Sequence, residues 1–138
     1  MRRALTRVAE RVPIVVGVSN RDTGVPVTVE AFQRLVNTFP QLVMLKHEDC
    51  PGLAKLGRIR ADEQGAGRRR VSILVGNNAL YYPQELARGA DGAITGFSYP
   101  EMLVEVYERF IAGDVDGAED VFDVLSNRAR PRPCADRR

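Results

Sequence analysis

The sequence predicts an α/β fold built from repeated strand–helix units with parallel strands. Four short apolar runs begin near residues 13, 42, 71 and 92, and each is followed by a segment with apolar residues at helical spacing. Strict alternation of strands and helices implies parallel pairing through right-handed crossovers. Both an open doubly wound sheet and part of a (β/α)8 barrel agree with this pattern. Because a complete barrel takes about 250 residues, four units in 138 residues would make half of one.

The first third of the chain contains one predicted strand between two predicted helices. Residues 2–11 carry apolar residues at helical spacing, and the β-branched run at 14–18 predicts a buried strand. Residues 19–26 have the composition of a loop. Thr28 is a good N-cap for the next helix, which Pro40 follows.

The second strand is a continuous apolar run that ends in charged residues. Residues 42–46 predict a buried parallel strand. Asp49 and Pro51 are suited to open the helix that follows, as its cap and in its first turn. The polar, glycine-containing segment 62–70 predicts a surface loop.

The second half of the chain repeats the pattern twice. Residues 71–76 predict the third strand, and Asn77 begins a short helix that extends to Gly89. Residues 92–96 predict a fourth, shorter strand. Pro100 then starts a helix that Gly113 ends, and a last helix covers about residues 115–125.

The chain divides into a folded domain over residues 1–127 and a tail over residues 128–138. The tail contains two prolines and five arginines and has no apolar periodicity. Such a segment cannot bury enough apolar surface to fold, so we expect it to be disordered.

Composition excludes several function classes. Hydrophobic residues make up 44% and charged residues 28%, as in ordinary globular proteins. The apolar runs are far shorter than the roughly 18–20 residues of a membrane span, so we expect a cytoplasmic protein without a membrane partner. The two cysteines lack the spacing of a zinc site, and neither a metal nor a cofactor is predicted. Arginine clusters at 68–70 and in the tail raise the possibility of RNA binding, but no aromatic residues are interleaved with them and acids are spread through the chain. We therefore predict no nucleic-acid partner.

Lys46 is the residue whose position most clearly suits a catalytic role. The carboxyl ends of parallel strands share one face, where α/β folds bind ligands, and Lys46 ends an apolar strand. Desolvation there disfavours the ammonium, and a neutral amine can attack a ketone to form a Schiff base. The alternative is an ammonium that reaches solvent or pairs with Glu48 or Asp49.

The residues after Lys46 alternate between the two faces of the strand. His47, the only histidine, points away from Lys46 if the pleat continues, so we expect it to pack behind the site. Glu48 returns to the side of Lys46, where it could orient the amine or a substrate hydroxyl, or remain a solvated acid.

A series of short motifs resembles one enzyme family over about residues 10 to 125. In order, the matching segments are 13–16, Thr23-Gly24, Phe39-Pro40, Leu45-Lys46, Gly76-Asn77-Asn78-Ala79 and 89–94. The family is that of dihydrodipicolinate synthase and N-acetylneuraminate lyase. The lysine, the Gly-Asn-Asn and the Gly-Ala-Asp-Gly all fall at matching strand ends, which makes the resemblance specific.

The resemblance implies a lyase with a (β/α)8 barrel, of which this chain is the C-terminal half with strands five to eight. It implies Schiff-base chemistry on pyruvate or a related 2-keto acid or sugar acid, without a cofactor, in a homo-oligomer. Lys46 corresponds to the Schiff-base lysine. Gly76, Asn78 and Ile94 correspond to positions near the substrate, and Glu48 joins them as a substrate-binding candidate from its place beside Lys46.

Departures from the family pattern bear on activity. The family's catalytic tyrosine and its pyruvate-carboxylate loop belong to earlier strands and have no counterpart here, and residues 17–20 read Gly-Val-Ser-Asn where the family often has Tyr-Asn-x-Pro. We therefore expect a truncated aldolase or dehydratase of reduced activity. The second hypothesis is a non-catalytic half-barrel or doubly wound module that binds a small anionic ligand at the strand ends.

Overall fold

A four-stranded parallel sheet forms the centre of the molecule, and a helix follows each strand. The computed structural model describes residues 13–18, 27–50, 52–65 and 67–129. The strands are β1 (Ile14–Val18), β2 (Leu42–His47), β3 (Ser72–Val75) and β4 (Gly92–Ala93). The helices are α1 (Val29–Thr38), α2 (Leu53–Gly65), α3 (Tyr82–Leu86), α4 (Pro100–Ile111) and α5 (Val115–Ala129), with a 3-10 turn at Asn77–Ala79.

The strand order distinguishes between the two architectures that the sequence left open. The strands lie in the order β1-β2-β3-β4, and all three pairings are parallel. Each crossover therefore advances one strand in the same direction, as in a barrel. A doubly wound sheet instead reverses direction at a switch point, so the order favours half of a barrel.

The two faces of the sheet differ in burial. Val16, Leu45 and Ile73 are partners across three strands, and all three are buried in the core with residues of the helices. On the other face, Val15 is 53% exposed and Lys46 is half-buried. The helices thus cover one face, and the face that a complete barrel would turn inward is open.

Several predicted elements are confirmed, and others have different limits. Thr28 caps α1 through a hydrogen bond from the Ala31 amide to its Oγ1 at 3.2 Å, and α4 begins at Pro100 as predicted. Strand β2 extends one residue further than predicted, to His47. Strand β4 is only two residues long, because the chain leaves the sheet after the Ile94 amide donates to Val75 O at 2.9 Å.

Helices also differ from the prediction, and α2 continues to Gly65, through the first four residues of the segment 62–70 that was predicted to be a surface loop. The helix predicted from residue 77 is wrong in its first turn: Asn77, Asn78 and Ala79 have φ values of 51°, 54° and 56°, which no right-handed helix contains, and α3 starts only at Tyr82 with a proline in its first turn. Helix α5 continues to Ala129 rather than ending near residue 125.

Several predictions fall partly or wholly outside the described residues. These are the helix at 2–11, the loop at 19–26, Pro51 in the first turn of a helix, and the tail at 128–138, of which only the first two residues are described, as the end of α5. In the described part of the chain, no helix has the length and apolar character needed to cross a bilayer.

A buried arginine joins the elements at the amino end of β3. Arg60 on α2 donates to Gly89 O at 2.8 Å and Val71 O at 2.9 Å, and forms ion pairs with Glu63 at 2.6 Å and Asp91 at 2.7 Å. Asp91 also accepts the Ile73 amide at 2.8 Å. In (β/α)8 barrels chemistry takes place at the carboxyl ends of the strands, so contacts at the amino end contribute to stability.

The arginine cluster at 68–70 has structural partners. The Arg69 guanidinium donates to Leu42 O at 2.8 Å, Val36 O at 3.2 Å and Phe39 O at 3.3 Å. It thereby satisfies carbonyls at the C-terminal end of α1, where a cation also complements the helix dipole. Arg70 forms an ion pair with Asp91. Two of the three arginines are thus engaged within the fold.

Candidate functional site

Lys46 lies at the carboxyl end of β2, on the open face of the sheet. It is paired with Gly17 on β1 and Leu74 on β3, and Leu74 is paired in turn with Gly92 on β4. Residues paired in this way point to the same side of a sheet. Gly17 contributes no side chain beside the lysine, and a Cβ placed on it would meet no atom within 4 Å.

The Lys46 amine forms an ion pair with Glu48. Lys46 Nζ lies 2.8 Å from Glu48 Oε1, and the two side chains are 34% and 29% exposed. The structure thus gives the ion-paired ammonium that the sequence left as an alternative, in place of a desolvated amine. A pair as exposed as this contributes about 0–1 kcal/mol, so the amine can leave the carboxylate at little cost.

His47 lies on the opposite face, as predicted from the pleat. Its side chain is 1% exposed, and Nε2 lies 3.0 Å from Gly52 O, which makes Nε2 the protonated nitrogen because a carbonyl can only accept. Burial lowers the pKa of His47, against the opposing effect of the Gly52 carbonyl. The imidazole therefore fixes the loop after β2 and has no contact with the Lys46 amine.

Two residues after β3 hold Glu48 in place. The Gly76 amide donates to His47 O at 2.8 Å, so the ladder between β2 and β3 continues one residue beyond the strands. A Cβ on Gly76 would lie 2.4 Å from Glu48 Cγ and 2.7 Å from Oε1, which shows how closely the Glu48 side chain crosses the glycine. Asn77 Nδ2 donates to Glu48 O at 2.8 Å and approaches Asp49 O at 3.4 Å.

The other predicted substrate-binding residues lie around the same strand ends. Asn78 is exposed, and its Oδ1 accepts a hydrogen bond from Thr95 Oγ1 at 3.1 Å. Ile94 is 43% exposed, and its amide donates a hydrogen bond to Val75 O. The structure therefore brings Glu48 directly to Lys46 and Gly76 against Glu48, whereas the hydrogen bond of Asn78 connects the turn after β3 with the chain after β4.

Sequence reasoning missed the roles of Asn77 and Thr95. The sequence predicts Asn77 as the start of a helix, yet its carboxamide donates to the backbone carbonyl of Glu48 and fixes it. The available signal was the pair of consecutive asparagines, because asparagine tolerates positive φ better than other residues with a side chain. Nothing in the sequence indicated the Thr95–Asn78 bond.

Helix α2 begins differently from the prediction at Asp49. The Asp49 carboxylate forms an ion pair with Lys55 Nζ at 2.7 Å, helix α2 begins at Leu53, and the Leu56 amide donates to Gly52 O at 3.0 Å. Among the described residues, no three His, Cys, Asp or Glu side chains form a group that could hold a metal ion.

Solved structures resemble this chain over most of its length. The dihydrodipicolinate synthase of Rhodopseudomonas palustris is 38% identical with a TM-score of 0.87, and the match covers 94% of this chain and 43% of that one. YagE, a prophage protein of the dihydrodipicolinic acid synthase family from E. coli K12 solved in complex with pyruvate, is 24% identical with a TM-score of 0.74, covering 89% and 42%. A putative family protein from Coccidioides immitis is 22% identical with a TM-score of 0.71, covering 95% and 41%.

These matches agree with the strand order in identifying the architecture. The chain spans about two fifths of each of these solved chains. Four parallel βα units that match this share of an eight-stranded barrel form half of it, so the predicted half of a (β/α)8 barrel is confirmed. No protein-family model and no curated protein sequence matches the chain.

Proposed function

Because this chain belongs to the dihydrodipicolinate synthase family, we propose that it supplies the nucleophile of a Schiff-base lyase, and that this nucleophile is Lys46. The reaction type is that of a class I aldolase or dehydratase. The substrate is pyruvate or a related 2-keto acid or sugar acid, and no cofactor takes part. The rest of the active site belongs to the part of the barrel that the relatives have and this chain does not span.

One observation carries the proposal. A lysine amine stands at the carboxyl end of a central strand, on the open face of the sheet, with a carboxylate at 2.8 Å. Active sites of (β/α)8 enzymes lie at this end of the strands. The chain has two lysines, and the other, Lys55, lies on α2 in an ion pair with Asp49.

Lysine is suited to this chemistry in a defined way. Its neutral amine adds to the ketone carbon, and loss of water gives a protonated imine. The iminium withdraws electrons, so a proton on the neighbouring carbon becomes acidic and a carbanion at that carbon is stabilised. Addition to an aldehyde, its reversal, or loss of a neighbouring hydroxyl can follow. The pyruvate bound to YagE supports this choice of substrate class.

The substrate-binding residues in this proposal are Glu48, Gly76, Asn78 and Ile94. Glu48 is next to the amine, and Gly76 lies against the Glu48 side chain. Asn78 presents an exposed carboxamide, and Ile94 an exposed side chain, at neighbouring strand ends. We assign Asn78 a hydroxyl or carboxylate of the substrate, since its carboxamide can both donate and accept.

Trapping with pyruvate and borohydride tests the nucleophile directly. Borohydride reduces the imine to a stable amine, and peptide mass analysis then identifies the modified lysine. We expect one adduct, at Lys46. The variant Lys46→Arg should lose it, because a guanidinium keeps the charge but does not form this imine, whereas the matched variant Lys55→Arg should keep it.

The same experiment distinguishes the lyase from the second candidate function, a non-catalytic module that binds a small anion. Lys46 forms an ion pair with Glu48, and a cation at this position also suits binding of a small carboxylate without chemistry. Pyruvate binding that survives Lys46→Ala, together with no adduct in the unmodified protein, would contradict the lyase and support the binding module.

Three further features belong to the proposal. Residues 1–127 form the half-barrel unit and residues 128–138 a separate tail, which limited proteolysis followed by mass analysis tests. The protein forms a homo-oligomer, which light scattering measures. Its location is cytoplasmic, which cell fractionation checks.

A further inference from the structure

We propose that Glu48 is the general base and general acid of imine formation at Lys46, taking a proton from the amine and returning it to the departing hydroxyl. This inference rests on the proposed function, because it assigns the proton transfers of the Lys46 reaction. It goes beyond a substrate-binding role for Glu48, since the group it acts on first is the nucleophile.

The geometry places the carboxylate directly on the reacting atom. Glu48 Oε1 lies 2.8 Å from Lys46 Nζ, within the range in which a base takes a proton without an intervening water. The two residues are two positions apart on an extended segment, and the hydrogen bond from the Gly76 amide to His47 O shows that the segment stays in the ladder there. Their side chains therefore point to the same side.

The surroundings restrict where the carboxylate can go. Gly76 lies under the Glu48 side chain with no room for a Cβ, and Asn77 Nδ2 holds the Glu48 carbonyl at 2.8 Å. Asn77 adopts a φ of 51°, a conformation that costs a residue other than glycine energy and persists only where the surrounding contacts enforce it. Asn77 is thus a positioning residue for Glu48.

Neighbouring acid–base groups are directed elsewhere. His47 points to the other face, with Nε2 on Gly52 O. Asp49 pairs with Lys55 at 2.7 Å. Within the described ranges, Glu48 Oε1 is the partner that the structure gives to Lys46 Nζ, so this carboxylate is the group in position to move its protons.

The proton transfers balance. The ammonium gives a proton to the Glu48 carboxylate, and the neutral amine adds to the ketone carbon while the carbonyl oxygen takes a proton from the amine nitrogen through solvent. This gives a carbinolamine. The Glu48 carboxylic acid then protonates the carbinolamine hydroxyl, which leaves as water as the C–N double bond forms. The products are the protonated imine, one water and the Glu48 carboxylate, with the same total charge as at the start.

The decisive variant is Glu48→Gln, which keeps the shape of the side chain and cannot accept a proton. General acid–base catalysis contributes roughly 10²–10⁴-fold in rate, so we expect borohydride trapping of pyruvate at Lys46 to slow by about 100-fold or more at neutral pH. The rate in this variant should keep increasing into the alkaline range, where solvent deprotonates the amine. The variant Glu48→Asp should recover part of the rate, and so should Glu48→Ala in added formate. Asp49→Asn, which removes a charge from the same loop, is the matched control and should retain the wild-type pH profile.

The outcomes separate the two proposals. If the unmodified protein forms the Lys46 adduct and Glu48→Gln forms it at the same rate with the same pH profile, the role of Glu48 is refuted and Lys46 remains the nucleophile. If the unmodified protein forms no adduct at Lys46, the lyase proposal itself fails. If Glu48→Gln is slow but Glu48→Asp and added formate restore nothing, the defect is one of structure and the proton-transfer role is refuted.

Discussion

Replacing Glu85 with glutamine should stabilise the protein above pH 7 and change little near pH 5. Glu85 lies on α3 with 5% of its surface exposed, and its Oε2 has no hydrogen-bond partner among the described residues. Burial raises the pKa of Glu85 to about 7. The folded state therefore favours the neutral acid, and ionisation of this side chain opposes folding.

The magnitude follows from the difference between the folded and unfolded pKa values. An increase from 4.5 to about 7, at about 1.4 kcal/mol per pKa unit, corresponds to roughly 3 kcal/mol. Because the folded state holds the proton to higher pH than the unfolded chain, stability is fully present below pH 4.5 and is lost as pH rises through about 7. Glutamine has the same shape and no charge, so it should remove this loss.

Urea unfolding followed by circular dichroism, from pH 5 to 8.5, measures the effect. The difference in unfolding free energy between Glu85→Gln and the unmodified protein should grow with pH and reach about 3 kcal/mol at the alkaline end. Taking the difference cancels other titrating groups. The control Glu30→Gln changes an exposed carboxyl on α1 and should leave the pH dependence in this range unaltered. A constant difference across the range would refute the buried acid.

Three further changes have defined outcomes. Arg60→Leu should cost roughly 3–5 kcal/mol in unfolding free energy, because it leaves buried carbonyl acceptors unsatisfied and the Glu63 carboxylate without its cation, although Asp91 retains Arg70; a loss below 1 kcal/mol would contradict the role given to this network. Gly76→Ala should slow Lys46 trapping with little loss of stability, since its Cβ would displace the flexible Glu48 side chain; an unchanged trapping rate would show that the close approach is unimportant. In the Glu85→Gln background, unfolding free energy should fall as pH drops below 6.5, because burial lowers the pKa of His47 and the unfolded chain binds the proton first; His47→Asn should flatten that decline, and a decline that persists would assign it to another group.

The sequence predicted most of the fold because its signals are local. Apolar runs of four or more residues and helical spacing identified β1 to β3, α1 and α4, and a cap at Thr28 located the start of α1. The limits of β4 and α3 were not predictable in this way. The start of α3 depends on the left-handed turn at Asn77–Ala79, and a positive φ at alanine has no signal in the sequence.

The part of the site that lies along one strand was predictable, because side chains alternate between the two faces of a strand. Lys46 and Glu48 on one side and His47 on the other follow from the pleat alone, and the ion pair and the buried imidazole agree with it. The contacts that fix Glu48 join segments almost thirty residues apart, as with Asn77 Nδ2 and Glu48 O. Sequence spacing contains no information on such a contact, and it equally hid that Arg69 binds the end of α1 rather than an external anion.

The two ends of β3 carry separate functions. At its amino end, Arg60 and Asp91 connect α2, the strand and the chain before β4. At its carboxyl end, Gly76 and Asn77 place Glu48 beside Lys46. A four-residue strand separates the ends by roughly 13 Å, and substitutions further apart than about 7–10 Å without shared partners act independently. Damage to the amino end should therefore reduce the fraction of folded molecules and leave the chemistry of each folded molecule intact, whereas damage to the carboxyl end should do the reverse. The chemistry proposed for the open face of the sheet thus depends on a scaffold that is stabilised at the opposite end of β3.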